Sequence, residues 1–167
     1  MEYRKTIKRH LNAISGSIMF VIYLLIAFFY FGEVYGFEKH LIWFFSILFI
    51  VNIAVVLYLH FQYNKEDEGK ILSIDRENSL MTIDNGREKI LIPFVEIQKI
   101  EIHMMPSKYR GSNIQFFPFE EYNYAVIFVG HEKYIITCLM IENLRQFFLD
   151  LGLNVIRIKE LLTIINK

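Results

Sequence analysis

Two apolar runs near the start of the chain, residues 13–31 and 41–61, limit what it can fold into more than any other feature. Each is roughly 20 residues, which at about 1.5 Å per helical residue crosses a hydrocarbon layer about 30 Å thick. No Asp, Glu, Lys or Arg falls inside either run. Leu, Ile, Phe and Val each favour insertion by about 0.3 to 0.6 kcal/mol near a helix centre, and together they outweigh the few polar groups present. Two helices buried in a soluble core would need protein on every side, and the rest of the chain is too short to supply it. The expectation is a membrane hairpin of two transmembrane helices over 13–63, behind a basic leader over 1–12.

Charge orients the hairpin. Arg4, Lys5, Lys8 and Arg9 precede the first run, whereas the break between the runs carries Glu33, Glu38 and Lys39. Basic residues stay on the cytoplasmic side, so the N-terminus is expected there and the break outside. The second span then returns residues 64–167 to the cytoplasm. The chain reads as a multi-pass protein of a cell (inner) membrane with both termini cytoplasmic. A lone Cys138 agrees with a reducing compartment. A cleaved signal peptide would be shorter and end in a small-x-small site, but Gly32-Glu33-Val34-Tyr35 follows the first run. Overall, 18 basic residues balance 18 acidic ones, so bulk charge gives no pull toward nucleic acid.

The break is short, so the spans must be antiparallel neighbours. Tyr30, Tyr35 and Trp43 at one end and Tyr58 and Tyr63 at the other fit aromatic belts. Asn52 lies near the middle of the second run and Tyr23 at a comparable depth in the first. An amide there needs a partner. It is either a staple within the hairpin, sharing a hydrogen bond with Tyr23, or a contact to another subunit or a solute. Two helices leave no path for a solute, which argues against transport by a monomer.

Beyond a charged linker, Asn64-Lys65-Glu66-Asp67-Glu68-Gly69, the apolar period changes to two. Strands are expected at 70–75, 79–84, 87–92, 99–103, 122–129 and 133–139, with Lys99, Glu101 and His103 facing solvent. Asp84-Asn85-Gly86 predicts a type I′ hairpin turn, and Pro93-Phe94-Val95-Glu96 a single turn or a bulge. Ile141, Leu144, Phe148 and Leu151 predict a helix stopped by Gly152. Residues 154–167 read either as a short strand and a helix or as a segment lying against the bilayer. The soluble part over 70–167 is therefore an α+β domain: an antiparallel partial barrel of six or seven strands capped by one C-terminal helix.

The run Ile90-Leu91-Ile92-Pro93-Phe94-Val95-Glu96-Ile97-Gln98-Lys99-Ile100 is similar to the middle strands of bacterial pleckstrin-homology-like (PH-like) domains. Lys133-Tyr134-Ile135-Ile136-Thr137-Cys138-Leu139 and the helix after it resemble their last strand and capping helix. A two-helix membrane hairpin ahead of such a domain resembles the YcxB-like membrane proteins. The resemblance implies a fold and a location more than an activity. Phosphoinositide-binding members of the wider superfamily carry Lys and Arg around the first hairpin. Here Asp75-Arg76-Glu77-Asn78 sets one base between two acids, a poor cradle for phosphate.

Catalytic chemistry finds little support. His10, His40, His60, His103 and His131 are scattered, and none pairs with another His or Cys at metal-ligand spacing. Cys138 sits in an apolar strand, as an inert buried thiol does. Glu120 and Glu121 are adjacent, so in an extended chain they point apart. No cofactor motif is present. The loop over 104–121 is the functional candidate. Lys108 and Arg110 with Phe116, Phe117, Phe119 and Tyr122 suit a bilayer surface or a partner protein; alternatively the aromatics plug the open end of the barrel. The sequence thus points to a non-catalytic interaction or assembly module, in an accessory or regulatory subunit of a membrane complex or a homo-oligomer. The alternative is a membrane-anchored sensor or binder of lipid or another small ligand. Partners would be membrane lipid and another membrane protein or a second copy, and no cofactor is expected.

Overall fold

A computed structural model describes residues 1–9, 11, 15, 18–19, 21–23, 25–26, 29–30, 39–111 and 117–165. The described residues from 7 to 30 are helical, while the break at 31–38 and parts of the first apolar run lie outside the described residues. The second run forms helix α1 (Lys39–Glu66). It continues past residue 61 because nothing in Gln62–Glu66 breaks a helix, and the first residue with positive φ is Gly69, at 72°. Residues 64–69, expected as a linker, are thus the last turn of α1 and a tight reversal, with Lys70 N donating to Asp67 O at 3.2 Å. Among the described residues one helix, Trp43–Glu66, is long and apolar enough to cross a membrane.

The described strands form two four-stranded sheets. The first takes β1 (Glu2–Tyr3), β2 (Ile71–Asp75), β3 (Leu80–Asp84) and β4 (Lys89–Pro93) in that order, all antiparallel. The second contains β5 (Ile97–Met104), β6 (Tyr124–Val129), β7 (Glu132–Thr137) and β8 (Ile156–Lys159), in the order β7-β6-β5-β8. β8 runs parallel to β5. The ladders therefore close two separate sheets, not one continuous barrel, and β1 and β8 lie beyond the six strands that alternation alone marks out. A two-residue strand such as β1 is too short to show a period.

Alternation places one side of each strand inward. Leu72, Ile74, Met81, Ile83 and Ile92 face Ile100, Ile102, Ala125, Ile127 and Ile136 across the inter-sheet core. Helix α3 (Leu144–Asp150) closes that core with Leu144 and Phe148, and Asn143 caps its start by accepting from Gln146 N at 3.1 Å. The slip in phase before β5 has the expected cause: a 3₁₀ turn over Phe94–Glu96 and a register shift between Ile97 and Lys99. The Asp84-Asn85-Gly86 hairpin forms with a longer loop than a type I′ turn. Asp84 pairs with Lys89, and Asn85 Oδ1 accepts from Arg87 N (3.0 Å) and Glu88 N (2.9 Å). The Asn side chain ties down two amides that a two-residue turn would not present.

Candidate functional site

The outer face of the second sheet carries a second apolar cluster, to which α1 contributes one wall. Val56, Leu59 and Tyr63 pack against Tyr122, Tyr124, Val126, Leu139 and Ile165. Spacings of three and four put the helical residues on one stripe, and period two puts Tyr122, Tyr124 and Val126 on one face of β6 and its approach. The rings of Tyr63 and Tyr122 meet edge to face at 5.2 Å. Buried phenols need acceptors, and each of these finds one. Tyr63 Oη donates to Thr163 O at 2.8 Å, Tyr124 Oη to Ile164 O at 3.3 Å, and Tyr122 Oη lies 3.0 Å from His60 Nδ1. Gln62 both donates to Ile165 O (2.9 Å) and accepts from Ile165 N (3.1 Å). The last turns of α1 are thus seated on the domain.

At the lower edge of that seat lies Asp67, fully buried. Thr137 Oγ1 donates to its Oδ2, while Oδ1 has no hydrogen-bond partner among the described residues. Burial pushes the carboxyl up to about 6, against the opposing pull of Thr137 and Lys70. Cys138, next to Thr137, has its thiol pushed up to about 11 by burial, which leaves it protonated and unreactive at neutral pH.

The loop that carries most of the sequence candidates does not gather them into one open site. Helix α2 (Pro106–Tyr109) begins it, and Lys108 Nζ turns back to Glu121, meeting O at 3.0 Å and Oε2 at 2.7 Å. Arg110 is exposed, with Nε donating to Pro106 O at 3.3 Å. Phe116 lies outside the described residues. Phe117 stacks on Phe119 with centroids 5.1 Å apart; Phe119 packs against the seat, and Phe117 stays 42% exposed. Tyr122 is wholly buried. Of the two residues expected to meet inside the hairpin, Asn52 is buried and Tyr23 exposed, and no hydrogen bond joins them among the described residues.

A cleft of about 550 Å³ opens between the sheets beside the end of α1. His103 lies in it, stacked on Tyr124 at 4.5 Å. Its Nδ1 is 2.6 Å from Glu160 Oε1, its Nε2 3.7 Å from Glu101 Oε2, and Lys99 pairs with Glu101. Glu101 and His103 share the outer register of β5, but their side chains are largely covered where alternation alone predicts solvent, because Glu160 and Tyr124 close over His103. Glu160 arrives only because β8 pairs with β5, and no local signal announces a contact 57 residues away. Carboxylates outnumber amines in the lining, with Glu66, Glu88, Glu101 and Glu160 against Lys70 and Lys133. Such a cleft repels phosphate. The first hairpin does too, since Asp75 already occupies the amides of Glu77 (3.1 Å) and Asn78 (3.2 Å). Asn78 Nδ2, donating to Asp75 Oδ2 at 2.7 Å, and after it those amides hold the Asp75 carboxyl below its ordinary value. Among the described residues no group of three or more His, Cys, Asp or Glu is arranged to hold a metal ion.

Two antiparallel-built sheets enclosing one core, with a helix after the last antiparallel strand, define the PH class of domain. The PH domain family matches residues 2–147, and the chain belongs to it. PH domains are generally non-catalytic interaction modules that bind lipids or proteins. No curated protein and no solved structure matches the chain.

Proposed function

We propose that this chain is a two-span protein of a cell (inner) membrane whose cytoplasmic PH domain is an interaction or assembly module, without catalysis of its own. It serves as an accessory or regulatory subunit of a membrane complex, or assembles with itself. The observation that carries the reading is β1. Glu2 and Tyr3 pair with Ser73 and Leu72, and the N-terminal amine donates to Ile74 O at 2.8 Å. The chain on either side of the apolar runs thus meets in one sheet. If α1 crosses the bilayer, residues 4–38 must cross it as well, and both termini lie on one side. Exposed Trp43, Phe44, Ile47, Ile50 and Val51 on α1 are the apolar surface that lipid or a partner helix would cover.

The test is side-specific labelling of the full chain in oriented vesicles with a membrane-impermeant maleimide, using Glu2→Cys, Glu33→Cys and Glu142→Cys in turn. Positions 2 and 142 react from one side and 33 from the other. Reaction of positions 2 and 142 from opposite sides overturns the reading. Assembly is checked by size in mild detergent, where a monomer with no copurifying protein counts against a subunit role. The second reading, a sensor of a small ligand, rests on the His103 cleft, whose acidic lining favours a cationic ligand over a phosphate headgroup.

A further inference from the structure

Past β8 the described residues, through Ile165, have no regular structure, yet they do not leave the molecule. Residues 161–165, Leu-Leu-Thr-Ile-Ile, carry no charge and run back along the side of α1. Leu162 and Ile164 form an apolar groove of about 250 Å³ with Ala54, Val55, Tyr58 and Leu59. Ala54 lies about 18 Å along the helix from Glu66, at about 1.5 Å per residue. The segment thus reaches well into the stretch that is apolar enough to cross a membrane. Leu161, next to Leu162 of that groove, is 83% exposed, and Leu57, Tyr58 and Phe61 on α1 are exposed as well.

An irregular segment is tolerated at such a depth only when its backbone polar groups are already paired. Four consecutive carbonyls meet that condition. Leu162 O accepts from Ile164 N (2.9 Å), Thr163 O from Tyr63 Oη (2.8 Å), Ile164 O from Tyr124 Oη (3.3 Å) and Ile165 O from Gln62 Nε2 (2.9 Å). The hydroxyl of Thr163 donates to Tyr122 O at 3.0 Å. The polar atoms are turned in and the leucines out. A loop in water has no need of this arrangement, since water satisfies its carbonyls.

We infer that residues 161–165 are an interfacial membrane insert, with Leu161 and Leu162 seated among the lipid acyl chains beside the inner end of α1. The insert fixes the PH domain against the bilayer at a second point, so the domain cannot swivel about the span. This inference rests on α1 crossing the membrane, and the experiment separates the two.

The full chain is reconstituted in phosphatidylcholine–phosphatidylglycerol vesicles containing lipid brominated near the top of the acyl chain, and tryptophan quenching is read. Native Trp43 reports the span. In a Trp43→Phe background, Leu161→Trp reports the insert, and Val95→Trp reports the end of the domain far from α1, where Val95 is 91% exposed. Both substitutions fall on exposed side chains that the fold does not need. Quenching of Leu161→Trp at least about twofold above Val95→Trp is expected, since an interfacial segment sits about 5–10 Å into the headgroup–acyl boundary. Equal quenching of the two, with Trp43 quenched, overturns the insert and leaves the span standing. Absence of quenching at Trp43 overturns both.

Discussion

The second sheet packs apolar side chains on both faces, and its two faces are built from different residues. The inward face joins an aliphatic core: Ile100, Ile102, Ala125, Ile127 and Ile136 meet Leu72, Met81 and Phe148 without a polar atom among their side chains apart from methionine sulfur. The outward face, where α1 docks, is tyrosine-rich, and its phenols reach His60 and the carbonyls of the C-terminal segment. Aliphatic packing is non-directional and holds whatever fills the volume. Phenol hydrogen bonds fix one geometry. The inner face therefore sets the stability of the PH domain, and the outer face sets its orientation on the helix.

The sharpest way to break that division is Phe148→Ala. Phe148 is fully buried under both sheets. Loss of its ring leaves a cavity and costs about 3–5 kcal/mol. The expected result is a large fall in the denaturation midpoint of the whole domain, with the seat lost only when the sheets melt. Selective release of the C-terminal segment, read by hydrogen exchange with the sheets intact, would contradict the division.

Asp67 tests the outer face next. The groups that face its carboxyl are Thr137 from β7, Lys70 after the turn and Glu66 from α1, with the first two favouring ionisation and Glu66 opposing it. Its value rises from 3.8 to about 6 on folding, mainly through burial. The folded chain thus holds this proton more tightly than the unfolded one. The stabilisation is complete below about pH 4, falls through the window up to about pH 6, and is gone above it. At about 1.4 kcal/mol per unit the swing is on the order of 3 kcal/mol. Asp67→Asn is expected to flatten the pH dependence of the thermal midpoint between pH 4 and 7 and to raise the midpoint at neutral pH. An unchanged slope would mean that Asp67 is solvated.

The same contrast explains what was legible in the sequence. Period-two alternation located the strands of the aliphatic core because each needs only its own residues to be recognised. The single turn at Phe94–Glu96 was legible too, since Pro93 interrupts the period and Ile97 falls out of phase with Ile100. The seat was not. Tyr63 reads as a belt residue and Tyr122 as part of an exposed loop until helix and sheet are placed together. Nor was the His103–Glu160 contact, which needs a parallel pairing that no turn signal marks. β1 was hidden for a further reason: two residues carry no period, and the basic charge beside them reads as a leader. Lys108 reads by its charge as a contact for a headgroup or partner, but Glu121 lies within reach once the loop folds back.

The smallest effect is the most discriminating. Tyr63→Phe keeps the ring, its packing against Tyr122 and the apolar character of the seat. It removes one hydroxyl and leaves Thr163 O without its donor. A lost hydrogen bond of this kind costs about 1 kcal/mol, so the midpoint of the domain should move little. The effect should appear locally, as faster hydrogen exchange at residues 161–165 and easier proteolysis after β8, while amides of β5 and β6 keep their protection. If the tail is held by apolar contact alone, Tyr63→Phe will leave its exchange unchanged, because Leu162 and Ile164 would still fill the groove against α1. If the phenol positions it, the tail will loosen while the aliphatic core does not register the change, and the two faces of the sheet will have been separated by one oxygen atom.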